Sequence, residues 1–279
     1  MTSDTFASLP LGHATTPDLA IPQLGFGVWE VPDGEVDAAF GGALEIGYRH
    51  IDTARIYGNE EGVGRVLGAT DVPRDDIFVT TKVWNDDHRD VPAAFEASMG
   101  RLGIDTLDLY LIHWPAPQQD AFVGAWSSML DLQREGRVRS VGVCNFQVPH
   151  LQRLLDETGV LPSVNQIELS PYLQQRELRA FHAEHGIVTE AWSPLAVRAG
   201  LLDDDVVVSL AGQHGVSPAQ LVLRWHLELG NVVLTRSVTP ARIEENYAIT
   251  GFSLSVEDLT ALEALDRGTR TGPDPDTFG

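Results

Sequence analysis

The chain has 279 residues, 43% of them hydrophobic, and 40 acidic against 19 basic side chains give a formal net charge of −21. This length fits one large α/β barrel or two ordinary domains, with ample apolar material for a core. Charge of this sign argues against nucleic acid and anionic membrane surfaces as partners, since both need basic patches.

Residues 7–29 read as a short hairpin, in which Leu9-Pro10-Leu11 and the run from Ile21 to Gly27 flank the polar turn Thr15-Thr16-Pro17-Asp18. Helices and strands then alternate. Helices are expected over 34–46, 60–67, 91–102, 122–135, 149–157 and 175–185, one or two within 204–229, and again over 240–248 and 256–265. Strands are expected over 48–52, 77–82, 107–113, 138–143, 163–167, 187–191 and 231–235, with a short one around 251–252. The last helix opens on a capping box, Ser255 followed by Asp258 three residues on. Buried strands without polar alternation, separated by helices, point to parallel pairing with helical crossovers. Eight such units predict a closed (β/α)8 TIM barrel, an α/β fold, with an N-terminal β-hairpin and one domain over 1–279.

Cys144 is the only cysteine, so no intrachain disulfide can form, which suits a reducing cytosol. The first residues carry no basic and apolar leader, and no run of about 18 apolar residues could span a bilayer. A cytoplasmic protein is expected. No heptad or edge pattern suggests assembly, so a monomer is expected.

Barrel enzymes work at the C-terminal ends of their strands. There the sequence places Asp52, Lys82, His113, Cys144 with Asn145, Gln166, Glu168, Trp192 and Arg236 with Ser237. Lys82 is the only lysine in the chain; the other eighteen basic residues are arginine. Guanidinium is a planar fork and ammonium a compact point charge, so a site built for one does not accept the other. Taken singly, Lys82 could be a salt-bridge partner, Asp52 a helix cap, Tyr57 a packed loop aromatic and His113 a core histidine. Side by side on one rim they form a coherent group. A buried ammonium beside a phenol favours phenolate and is expected to lower the Tyr57 pKa from its ordinary value of about 10 toward neutrality. Tyr57 would then be a general acid for a carbonyl oxygen, with His113 orienting that oxygen.

Several stretches carry a resemblance. They are Gly25-Phe26-Gly27-Val28-Trp29, Asp52-Thr53-Ala54 with Tyr57-Gly58-Asn59-Glu60, and Leu109-Tyr110-Leu111-Ile112-His113-Trp114-Pro115, then Gly142-Val143 with Asn145-Phe146, Asn165-Gln166-Ile167-Glu168 and Ser193-Pro194-Leu195. In combination they resemble the aldo-keto reductase superfamily, in particular its short prokaryotic members related to diketo-gluconate reductases, over about 22–275. The resemblance implies a catalytic tetrad of Asp52, Tyr57, Lys82 and His113, and NADPH-dependent reduction of aldehydes and ketones to alcohols. The cofactor must be held without a Rossmann fingerprint, because Gly25-Phe26-Gly27 and Gly62-Val63-Gly64 both lack its third glycine. By resemblance, Trp192 stacks on the nicotinamide, Asn145 and Gln166 bond its carboxamide, and the backbone amides of Ser193 and Leu195 approach the pyrophosphate. The segment 233–246 gathers Arg236, Ser237 and Arg242 at a strand-to-helix turn, which suits an adenosine 2′-phosphate, and Asn246 would face the adenine. NADPH is therefore expected over NADH.

Two positions depart from the family pattern. Thr235-Arg236-Ser237 stands where Pro-Lys-Ser is usual, and Arg keeps the charge. Cys144 stands where Ser is usual, and a thiol is a weaker partner than a hydroxyl. Trp29, Trp84 and Trp114 are expected to line a pocket for small, flat or apolar carbonyl substrates, with the tail over 274–278 folded across it. Two rivals are a metal-dependent barrel hydrolase and a non-catalytic NADPH-binding regulatory barrel. The first would need His-x-His at a strand end, which the chain lacks, so no metal site is expected. An intact tetrad argues against the second.

Overall fold

The computed structural model describes residues 6–12 and 18–279. The expected turn residues 15–17 lie outside these. Strands β1 (Ser8–Pro10) and β2 (Ala20–Pro22) form an antiparallel hairpin. Gln23 then redirects the chain. Its backbone N–H donates to Ala7 O at 2.9 Å, its carbonyl accepts from Val233 N at 2.8 Å, and its side-chain amide donates to Asn231 O at 3.2 Å.

From that point the barrel begins. It runs β3 (Leu24–Gly27), α1 (Asp33–Ile46), β4 (His50–Asp52), α2 (Glu60–Ala69), β5 (Phe78–Val83), α3 (Val91–Leu102), β6 (Leu107–Ile112), α4 (Phe122–Arg134) and β7 (Val138–Cys144). It continues with α5 (Val148–Thr158), β8 (Val164–Glu168), α6 (Arg176–His185), β9 (Val188–Trp192), α7 (Asp205–His214), α8 (Pro218–Glu228), β10 (Val232–Thr235), α9 (Pro240–Tyr247) and α10 (Val256–Glu263). Strands β3 to β10 close into a parallel eight-stranded barrel, β10 pairing with β3 through Val233–Leu24 and Thr235–Phe26. The (β/α)8 fold with an N-terminal hairpin is therefore present.

Two strand expectations change. Residues 24–27 are not the second arm of the hairpin but the first barrel strand, and 251–252 form no strand. Both follow from closure, because β3 already occupies the place beside β10 that a ninth segment would need. The region 204–229 holds two helices. Ser255 caps α10 as expected, accepting from Asp258 N at 3.1 Å while Asp258 accepts from Ser255 N at 2.8 Å.

The barrel interior is graded. Its lower end is apolar, with Leu11 and Ile21 of the hairpin packed against Phe78, Leu109, Leu111, Val164 and Val232. Above them the inward side chains turn polar: His50, Lys82, Asp52, Gln166 and Glu190 are all buried. Gly25 is required where it stands, since a Cβ there would lie 2.5 Å from Leu234 Cδ2 and 2.6 Å from His50 Nδ1. A second core lies between strands and helices around Phe26, Phe40, Phe95, Tyr110 and Trp126. Burial of each such side chain stabilises the fold by roughly 1.5–3 kcal/mol. Among the described residues no single helix is long and apolar enough to cross a membrane.

Candidate active site

The loop after β4 is built to hold one tyrosine in place. Thr53 N donates to Thr80 O at 3.0 Å, and Thr53 Oγ1 donates to Asn59 Oδ1 at 2.9 Å. Asn59 in turn donates to the carbonyls of Val28 and Val31 at 2.8 and 2.9 Å, tying the loop to the one after β3. A single helical turn, Arg55–Tyr57, ends at Gly58 with φ +67°. That left-handed conformation suits glycine. Tyr57 is thereby fixed over the barrel mouth, 4.8 Å from the Trp29 ring and 5.6 Å from that of His113.

Below it sits the lysine. Lys82 is fully buried, with Nζ 2.6 and 2.7 Å from the two oxygens of Asp52, 2.9 Å from Thr53 O and 3.4 Å from Tyr57 Oη. Burial alone would push the ammonium toward neutrality, but Asp52 and then the other groups around it reverse this, and the net direction is up. Lys82 is a charged ammonium held by one carboxylate. A buried charge is tolerable only with such a partner.

The electrostatics correct one expectation. The Tyr57 phenol is not pulled toward neutrality. Burial pushes it up, the ammonium of Lys82 pulls it down, Asp52 and Cys144 push it up again, and the net direction is up. Burial is the largest cause, and Lys82 Nζ, closer to both Asp52 oxygens than to the phenol, does not offset it. Tyr57 therefore keeps its proton at physiological pH. His113 is neutral as well, driven well below the usual range by burial and then by Lys82. Its Nδ1 is buried without a hydrogen-bond partner among the described residues.

These groups open into a cavity of about 480 Å³, lined among others by Asp52, Tyr57, His113, Trp29, Trp84 and Trp114. The three tryptophans stand on this cavity wall, Trp29 being 49% exposed at the mouth. The C-terminal tail closes one side. Phe278 packs on Trp114 with ring centroids 4.7 Å apart and on Trp84 at 6.3 Å. Glu168, at the end of β8, anchors the tail by accepting from Thr271 N at 2.6 Å, Thr271 Oγ1 at 2.5 Å and Gly272 N at 3.1 Å.

A family model, that of the aldo/keto reductase family, matches residues 23–267. The chain belongs to this family. Among curated relatives it is 53% identical over 260 residues to methylglyoxal reductase DkgA of Escherichia coli strain K12, covering 93% of this chain and 94% of that one. It is 51% identical over 261 residues, with the same coverage, to an aldo-keto reductase of Mycolicibacterium smegmatis. A crystal structure of a Gox0644 mutant in complex with NADPH superimposes with a TM-score of 0.92 at 43% identity, covering 98% of this chain and 99% of the other. The Gox0644 apo form gives 0.91 at 45% identity, covering 97% of each.

Within this aldo/keto reductase the residues expected at the cofactor fall into two groups. Asn145, Gln166, Trp192, Ser193, Leu195 and Arg236 all line the cavity. Trp192 Nε1 donates to Asn145 Oδ1 at 2.8 Å, and Asn145 Nδ2 donates to His113 O at 3.1 Å, so the indole, the amide and the His113 backbone are tied together. Asn145 has φ +64° and Ser193 φ +49°. Ser237, Arg242 and Asn246 lie outside the cavity wall, on the turn after β10 and on α9. Ser237 Oγ accepts from Thr239 N at 3.0 Å just ahead of that helix, Asn246 is buried, and Arg242 is exposed.

Arg236 is engaged within the protein. It donates to Trp29 O at 2.7 Å and pairs with Glu30 at 2.8 Å, and the same carboxylate meets Arg198 at 3.2 Å. This chain of three charges spans the loops after β3, β9 and β10. Cys144 is fully buried inside the barrel rather than on the cavity wall, with its thiol pushed up by burial. No motif in the sequence marks a role for Glu30, Arg198 or Gly272. For Glu190 a signal existed: it is the one carboxylate in the otherwise uncharged strand 187–191.

Proposed function

We propose that this aldo/keto reductase reduces small aldehydes and ketones to alcohols with NADPH, and that Tyr57 supplies the proton. The cavity fits such a cofactor by its chemistry: a flat aromatic wall in Trp192, amides in Asn145 and Gln166 at its base, and arginine at its outer end. When bound, the nicotinamide supplies hydride to the carbonyl carbon. Trp192 offers the stacking face, Asn145 and Gln166 the polar grip, and Arg236 with Arg242 the positive charge for a 2′-phosphate. The methylglyoxal reductase relatives and the NADPH-bound Gox0644 structure support the same reading.

The chain's own groups handle the proton. Tyr57 holds it until the substrate oxygen gains charge and then donates it. Lys82 steadies the phenolate left behind, and Asp52 keeps Lys82 charged and in place. Neutral His113 offers a ring N–H to orient the substrate oxygen. Trp29, Trp84, Trp114 and Phe278 exclude water and favour flat or apolar substrates. The buried single thiol fits action in a reducing cytoplasm.

The observation that carries this reading is Lys82 Nζ placed between Asp52 and Tyr57 beneath an aromatic cavity. Its test is the loss of NADPH absorbance with methylglyoxal or a simple diketone, repeated with NADH. Saturable turnover that prefers NADPH is expected. Tight NADPH binding without turnover on any carbonyl would instead mark a regulatory barrel.

A further inference from the structure

One buried carboxylate belongs to no step above. Glu190, on β9, is wholly inaccessible inside the barrel. Its Oε2 accepts from Gln166 Nε2 at 2.8 Å. The same nitrogen donates to Asp52 Oδ2 at 2.9 Å. Gln166 thus bridges two acidic side chains with one –NH2 group, and only Asp52 has a cation, Lys82.

A side-chain amide has two hydrogens on nitrogen and none on oxygen. Two acceptor groups on one side therefore dictate which end of Gln166 faces them. Both hydrogens are spent below, and the end left for the cavity is the carbonyl oxygen. Asn145 is committed in a complementary way, its oxygen to Trp192 and its nitrogen to His113 O.

We propose that Glu190 is a positioning residue which, together with Asp52, locks the Gln166 amide so that it presents only an acceptor to the carboxamide of a bound nicotinamide. This rests on the functional reading above. The groups facing Glu190 are consistent with a neutral, proton-bearing acid. His50 Nε2 stands 3.7 Å from Oε1 but is itself neutral, its pKa pushed down to about 3 by burial and then by Lys82. Asp52 and Lys82 stand on the far side of Gln166, and Cys144 is a buried thiol. Burial and then the charge of Asp52 hold Glu190 up to about 8, against opposing pulls from the Gln166 bond and Lys82. Oε2 accepts from Gln166, and Oε1 has no hydrogen-bond partner among the described residues.

The experiment measures dissociation constants by Trp fluorescence for two ligands, NADPH and adenosine 2′,5′-bisphosphate, the second of which has no nicotinamide. Glu190→Met removes the acceptor at similar volume. It is expected to weaken NADPH about tenfold, the worth of one hydrogen bond, and to leave the bisphosphate unchanged. Glu190→Gln still offers an oxygen to Gln166 and is expected to bind NADPH within about twofold of the unsubstituted protein. Unchanged NADPH affinity in Glu190→Met would overturn the proposal, as would equal weakening of both ligands or a Glu190→Gln variant as weak as Glu190→Met. Should Glu190→Met fail to fold, Glu190→Ala read with the same two ligands takes its place. If the unsubstituted protein binds the bisphosphate but not NADPH, the functional reading falls and this role falls with it.

Discussion

Lys82 Nζ lies 2.6 Å from Asp52 and 3.4 Å from Tyr57, and this inequality sets the chemistry. A lysine shared equally would drag the phenol toward ionisation. One clamped to a carboxylate leaves the phenol protonated and, in the proposed reaction, stabilises phenolate only as it forms. The sequence made the partners legible, since a lone lysine at the end of a buried strand is hard to explain otherwise. It could not reveal the direction of the Tyr57 shift, which is set first by how deeply the fold buries the phenol. Guanidinium is too wide for the pocket framed by Asp52, Thr53 O and Tyr57. Lys82→Arg is therefore expected to lower kcat at least about a hundredfold while NADPH affinity, read by fluorescence, stays close to normal. Full turnover in that variant would mean that any cation suffices.

At the level of elements, helix ends were readable to within a residue or two because caps and glycines mark them. Gly103, Gly159 and Gly186, for example, end α3, α5 and α6 in the left-handed region. The first barrel strand was misread because Leu24–Gly27 continues directly from β2, and only its pairing with β10 distinguishes the two. The tail was expected over the pocket, but not what holds it. Glu168 accepts three hydrogen bonds from Thr271 and Gly272, and Gly272 lies so close to Trp192 that a Cβ would fall 2.4 Å from the ring. Removing the anchor with Glu168→Ala is expected to free the tail and with it Phe278. KM for a carbonyl substrate should rise about tenfold, the scale of a lost charge-assisted hydrogen bond, and limited proteolysis should cut the tail sooner. Unchanged KM and unchanged cleavage would show that Phe278 holds the tail unaided.

At the scale of the molecule, five histidines among the described residues are buried neutral. His50, His182 and His226 are held down to about 3 and His88 to about 4, while His113 lies well below its usual value, each mainly through burial. The unfolded chain binds protons at these sites near pH 6.5, whereas the folded chain refuses them. Stability must then fall as pH drops from about 6.5 toward 4, by on the order of 1.4 kcal/mol per pH unit for each fully shifted group. Glu190, raised to about 8, acts oppositely, and its contribution is lost as pH rises from about 4.5 through 8. Five groups outweigh one. The urea midpoint is expected to be clearly lower at pH 5 than at pH 7, and a midpoint that holds steady or rises on acidification would contradict this. No composition statistic could have shown it, because a histidine's cost depends on where the fold puts it.

The most direct measurement is Tyr57→Phe with two readouts, NADPH affinity by fluorescence and carbonyl reduction by loss of NADPH absorbance. The ring is kept, with its contacts to Trp29 and His113, and only the hydroxyl beside Lys82 is lost. NADPH affinity within about twofold of normal and turnover lower by about a hundredfold or more are expected. Near-normal turnover would place the proton donor elsewhere and leave the Asp52–Lys82 pair without its chemical purpose.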